Sequence, residues 1–162
     1  MGVTLFSLYM FNRQGEMLQY VEFHRPRQPR NVADDAKMTF GLLFSLNSFV
    51  TKLNPLGVGS AGSVAPLAPL SGPAATAAPK RSVFQSFRTN TYKLHYLETP
   101  SGVQLALTTD PGAPDMRDAL RHVYGSLYVE LVTKSPLHTP GRPFVSDPFV
   151  VAVKRYLAAA AG

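Results

Sequence analysis

Four histidines, His24, His95, His122 and His138, are the first side chains to test for chemistry. None pairs with another at metal-ligand spacing, and no carboxylate accompanies them in an H-E-x-x-H pattern, so each reads as a surface or core-edge residue. The chain has no cysteine, which excludes disulfides, zinc fingers and thiol nucleophiles. Serine, histidine and aspartate are all present, but no nucleophile elbow orders them into a trio. Asp115, Asp118 and Glu130 read as charges on a helix face rather than as an acid–base pair. Gly57-Val58-Gly59-Ser60-Ala61-Gly62 matches G-x-G-x-x-G to the letter. A dinucleotide site needs those glycines between a strand and a helix, whereas here they follow a helical pattern and enter an Ala/Pro-rich run. Pro66-Leu67-Ala68-Pro69 has the P-x-x-P form of a groove ligand, but the nearest basic pair, Lys80-Arg81, lies far off, and the segment reads as spacer. The residues therefore offer no catalytic, metal-binding or cofactor-binding set, and no cofactor is expected.

What chemistry remains is that of surfaces. The formal net charge is +6, and its one tight cluster is His24-Arg25-Pro26-Arg27-Gln28-Pro29-Arg30. Arg25, Arg27 and Arg30 form a candidate membrane-facing loop, each basic side chain contributing about 1 kcal/mol next to anionic lipid; the plain alternative is a solvated turn. The cluster is too small for a nucleic-acid stripe, and no nucleic-acid partner is expected. Charged residues make up 16% of the chain against 45% hydrophobic, a balance that asks for some surface to be covered. The apolar start of the chain lacks a positive flank, so no signal peptide is expected. Phe6 occupies the position where myristoylation would need a hydroxyl. The long uncharged run from Leu53 to Pro79 is broken repeatedly by proline and glycine and does not read as a membrane span.

The elements that carry these surfaces follow from periodicity. Thr4 to Phe11 is apolar on both faces, as in a covered central strand, and Asn12-Arg13-Gln14-Gly15 turns it into a second strand, Glu16 to Phe23. Asp34 and Asp35 open a helix in which Met38, Leu42, Leu46, Phe49 and Leu53 recur as one stripe. Phe40, Leu43 and Phe44 lie off that stripe and make a candidate subunit interface. From about 54 to 81 the composition shifts to Gly, Ala, Pro and Ser, read as a flexible insertion. Strand character resumes near Val83 to Phe87. Tyr92 to Glu98 alternates as a strand, Thr99-Pro100-Ser101-Gly102 makes a turn, and Val103 to Leu107 returns. Asp115 to Lys134 reads as a second helix, with Leu120, Val123, Tyr124, Leu127 and Leu131 on its apolar face. Asp147 to about Ala158 reads as a third, with Pro148 in its first turn.

Four stretches resemble one family in order. They are Leu8-Tyr9-Met10-Phe11-Asn12-Arg13-Gln14-Gly15 with Tyr20-Val21-Glu22-Phe23-His24-Arg25; Gly41 to Val50; Tyr92 to Gly102; and Tyr124-Gly125-Ser126-Leu127-Tyr128-Val129-Glu130-Leu131-Val132. Together they resemble the small longin-type core subunit of the transport protein particle (TRAPP) tethering complex. The resemblance spares only about Gly57 to Arg81 and the C-terminal tail. It implies an α+β longin, or SNARE-like, fold: a five-stranded antiparallel sheet with one helix on one face and two on the other. The chain would then be a single longin-like domain over 1–162 with the insertion at about 54–81. It also implies a non-enzymatic scaffold subunit of a multisubunit guanine nucleotide exchange factor for a Rab GTPase in ER-to-Golgi transport. The implied partners are other TRAPP core subunits of palmitoyl-binding and longin type, the GTPase through the assembled complex, and peripheral contact with membrane. The implied place is cytoplasmic, at endoplasmic-reticulum and cis-Golgi membranes. A stand-alone longin adaptor binding a SNARE is the alternative; it would need a heptad-patterned helix after the domain, where this sequence ends in Ala158 to Gly162. A small hydrolase assembled from scattered residues is a further class, tested by assaying the chain alone.

Overall fold

The computed structural model describes residues 2–53 and 85–162. The insertion, with its G-x-G-x-x-G and P-x-x-P strings, therefore lies outside the described residues. The chain divides into two compact units, residues 1–40 with 85–162, and residues 41–84.

The first unit is built on five antiparallel strands: β1 (Leu5–Phe11), β2 (Met17–Glu22), β3 (Ser86–Arg88), β4 (Lys93–Glu98) and β5 (Gln104–Thr109), in the order β2-β1-β5-β4-β3. Register puts alternate residues on opposite faces. Val21, Leu8, Leu107 and His95 line up across one face, and Tyr20, Tyr9, Ala106 and Tyr96 across the other. β1 and β5 sit in the middle of the sheet and are covered on both sides, which is why Leu8, Tyr9, Met10 and Phe11 are all buried.

The Leu8 face carries two helical layers. One is α2 (Arg117–His122), which continues directly into a π-helical segment (Val123–Thr133); the other is α3 (Asp147–Ala161). Met116, Leu120, Val123, Tyr128 and Val132 from the first layer and Phe149, Val153 and Leu157 from α3 share a core with Leu8, Met10, Leu105 and Leu107. Ser146 caps α3, its hydroxyl accepting from the Phe149 N–H at 3.4 Å, and Pro148 fills the first turn.

The π segment corrects the expected apolar face. Leu120 and Val123 are inward as read, but Tyr124, Leu127 and Leu131 are only half-buried, while Tyr128 and Val132 are buried. Each turn of a π-helix holds more residues, as in the Lys134 N–H to Val129 carbonyl bond of 3.2 Å, so the inward row advances by five and then four positions.

Helix α1 (Val32–Lys52) starts in the first unit. Asn31 leads it in, its side-chain carbonyl accepting from the Ala33 N–H at 3.0 Å, and Asp34 and Asp35 occupy the first turn. Up to Phe40 it lies on the Tyr9 face: Tyr9 donates to the Asp35 carboxylate, and the Phe40 ring sits 5.6 Å from Phe11. The β1–β2 turn is cut to this ring. Gly15 has φ +86° and an added Cβ would stand 2.7 Å from Phe40, so glycine is required there for both reasons.

α1 departs from the expected helix stripe. In the first unit Ala36 is buried and Phe40 half-buried while Met38 is exposed; in the second, Leu43 is buried, Leu46, Asn47 and Val50 are half-buried, and Leu42, Phe49 and Leu53 are exposed. The exposed and the covered residues both recur every three to four residues and both sets are mostly apolar, so period alone did not say which is covered.

Candidate interaction surfaces

Two surfaces stand out, one in each unit, and neither contains reactive chemistry. In the second unit, the described part of α1 presents Leu42, Phe49 and Leu53 as a row on the outer side, with Phe44 on the opposite shoulder. Phe44, Phe49 and Leu53 are 66%, 63% and 68% exposed, too much apolar area on one short stretch for ordinary surface scatter. Of the three residues expected to meet a partner, Phe44 is exposed, Leu43 is fully buried, and Phe40 is half-buried against Phe11. Leu43 is core and not available for docking.

In the first unit, the basic loop after β2 divides in a way the charge count did not reveal. Arg25 is 23% exposed in its side chain and forms an ion pair with Asp35 at 3.0 Å. The same guanidinium nitrogen donates to the Tyr9 and Tyr20 hydroxyls at 3.1 and 3.4 Å, and Tyr20 donates to Glu22 at 2.9 Å. Burial opposes ionisation of Asp35, but the hydrogen bonds from Arg25 and Tyr9 outweigh it and hold the carboxyl below its usual range. Burial and then the Asp35 contact push the Tyr9 phenol well above its ordinary value. Arg25 is thus a tie between the loop, β1, β2 and α1. Arg27 and Arg30 are exposed and make no ion pair among the described residues, leaving them as the accessible positive charges of the loop.

The histidines and the helix-face carboxylates sit apart from one another. His24 is exposed, His122 stacks on Tyr156 at 4.2 Å, and His138 stands edge-on to Tyr128 and Phe144. Asp115 and Asp118 pair with Arg117 and Arg121 at 3.1 and 3.0 Å. His95 is fully buried on the helix-covered face of β4, its Nε2 3.0 Å from the Thr109 hydroxyl and its Nδ1 without a partner among the described residues. Burial, and after it the nearby Lys93 charge, push its pKa down to about 4, against a smaller opposing pull from Asp115. Among the described residues no three of His, Asp and Glu gather as a metal site. No described helix is long and apolar enough to cross a membrane.

The sheet order and the helices on its two faces agree with a family comparison in which residues 5–160 match the Sybindin-like family. The chain belongs to the Sybindin-like family. Curated relatives of this Sybindin-like chain include trafficking protein particle complex subunit 1 of Homo sapiens, 36% identical over 158 residues that span 96% of this chain and 92% of that protein. The Dictyostelium discoideum protein of the same name is 30% identical over 94% of each chain. Transport protein particle subunit bet5 of Schizosaccharomyces pombe is 26% identical over 90% of this chain and 86% of its own. The resemblance drawn from the four sequence stretches is therefore shown, together with the α+β fold it implied.

Proposed function

We propose that residues 1–162 act as one longin-like, non-enzymatic subunit of a TRAPP-type vesicle-tethering complex. In it the chain contributes part of a composite guanine nucleotide exchange surface for a Rab GTPase in ER-to-Golgi transport. Exchange requires no covalent step; it requires a surface with greater affinity for the open GTPase than for the closed one, and several chains can share that surface. The observation that carries the reading is the exposed apolar set on α1, Leu42, Phe44, Phe49 and Leu53, on a family member whose relatives are named as subunits of a particle. Phe44 and the Leu42–Phe49–Leu53 row are the proposed contacts with neighbouring core subunits. Arg27 and Arg30 are the proposed membrane-facing charges, set in place by the Arg25–Asp35 tie; they would hold the assembly at the cytoplasmic side of endoplasmic-reticulum and cis-Golgi membranes.

Co-purification tests this reading. Phe44→Glu and Phe49→Glu each put a charge into an apolar contact and are expected to release the chain from its complex while leaving its own fold intact, since both positions are exposed. Recovery of both variants with wild-type amounts of partner subunits contradicts it.

A further inference from the structure

Three places in the sequence put serine or threonine directly before proline: Thr99-Pro100, Ser135-Pro136 and Thr139-Pro140. Proline-directed kinases accept this pair because proline offers no N–H and its ring fills an apolar slot. Those of the cyclin-dependent class also favour a basic side chain three residues after the acceptor. Only Thr139-Pro140-Gly141-Arg142 supplies both features; the third residue after Thr99 is Gly102, and after Ser135 it is His138.

The structure separates the three in the same way. Thr99 is buried, and its hydroxyl donates to the Val103 carbonyl at 3.0 Å and accepts from the Val103 N–H at 3.1 Å. Ser135 is half-buried at the end of the π segment. Thr139 is exposed, its hydroxyl makes no hydrogen bond among the described residues, and Pro140, Gly141, Arg142 and Pro143 are all exposed after it. We propose that Thr139 is a phosphorylation site for a proline-directed protein kinase.

The segment is held as a tight turn, with Pro140 at its second position, Gly141 at φ +75° and the Arg142 N–H donating to the Thr139 carbonyl at 3.2 Å. A kinase binds its substrate extended, so this turn opens first. Opening it breaks that bond together with the one from the Asn12 amide to the Gly141 carbonyl, 2.9 Å. In the transfer, the Thr139 hydroxyl oxygen forms a bond to the γ-phosphorus of ATP as the bond to the β,γ-bridging oxygen breaks. ADP leaves with the electron pair, and the hydroxyl proton passes to the kinase's aspartate base. The product carries a charge of about −2 one turn away from Arg142, whose guanidinium has no ion pair among the described residues. Modification therefore inverts the charge of a loop that also exposes Leu137 and Val145 almost completely.

The test uses the intact folded chain with a cyclin-dependent kinase and ATP, and fragment mass spectrometry to place the phosphate. One phosphate on Thr139 is expected, kept in Thr139→Ser, absent in Thr139→Val and unaffected by Ser135→Ala. Arg142→Ala is expected to lower kcat/KM about tenfold, in line with loss of one charged contact. Phosphate on Ser135 or Thr99 instead, labelling of Thr139→Val at the wild-type rate, or labelling of a 133–145 peptide without labelling of the intact chain would each overturn the proposal.

Discussion

Replacing Arg25 with alanine leaves the Asp35 carboxylate and two phenols without their shared donor. Hydrogen bonds to a charged, mostly buried group each contribute more than neutral ones, so Arg25→Ala is expected to destabilise the chain by about 1–3 kcal/mol in urea denaturation. Arg27→Ala, at an exposed position, should change it by less than about 0.5 kcal/mol. The two arginines are adjacent entries in a charge count and opposite in kind. His95 gives a second test, read against pH. The unfolded chain protonates this histidine near pH 6.5, whereas the folded chain resists until about pH 4. In that interval the unfolded state binds the extra proton, so stability is intact above pH 6.5 and is lost as pH falls, by about 3 kcal/mol in all. His95→Gln should flatten this slope. Asp35, held below its usual range, adds a further loss below about pH 4, where its protonation breaks the tie to Arg25. A wild-type chain whose melting temperature is level between pH 7 and pH 4 would contradict the placement of His95.

At the scale of elements, α1 distinguishes its two apolar rows by cost. Leu43→Ala should destabilise by about 2–5 kcal/mol, since Leu43 is fully buried, and Phe49→Ala by less than about 0.5 kcal/mol in the chain alone. Equal effects in thermal melts would contradict the burial pattern. The strands were legible from alternation and turn residues: Asn12 to Gly15 and Thr99 to Gly102 turn where proline, glycine and asparagine said they would. The Asn12 side chain fixes the first of these by accepting from the Gln14 and Glu16 N–H groups at 3.0 and 2.9 Å. Two things were not legible. The inward side of α1 depends on the sheet it meets, where Phe11 receives Phe40, and a helix apolar on two sides carries no local mark of that choice. The π segment depends on hydrogen bonding within the backbone, which leaves no mark in the spacing of Leu120, Val123, Tyr124, Leu127 and Leu131. Residue type alone singled out Phe44, Arg27 and Arg30, which are exposed, together with Leu43, which is buried, and Arg25, which is paired, because type does not report burial or pairing.

For the whole molecule, the neighbours proposed for the charge of +6 and for the exposed apolar set differ, lipid for the one and protein for the other. Arg27→Glu with Arg30→Glu should weaken binding to anionic liposomes by tenfold or more while leaving co-purification intact, because Arg25 is untouched and the fold is kept. Unchanged liposome affinity would make the loop a turn and no more. The more direct test of the account is native mass spectrometry of the tagged chain isolated gently from its own cells. Stoichiometric recovery with several other subunits of a tethering particle, lost for Phe44→Glu and Phe49→Glu, is the predicted result. A wild-type chain recovered as a free monomer would contradict it.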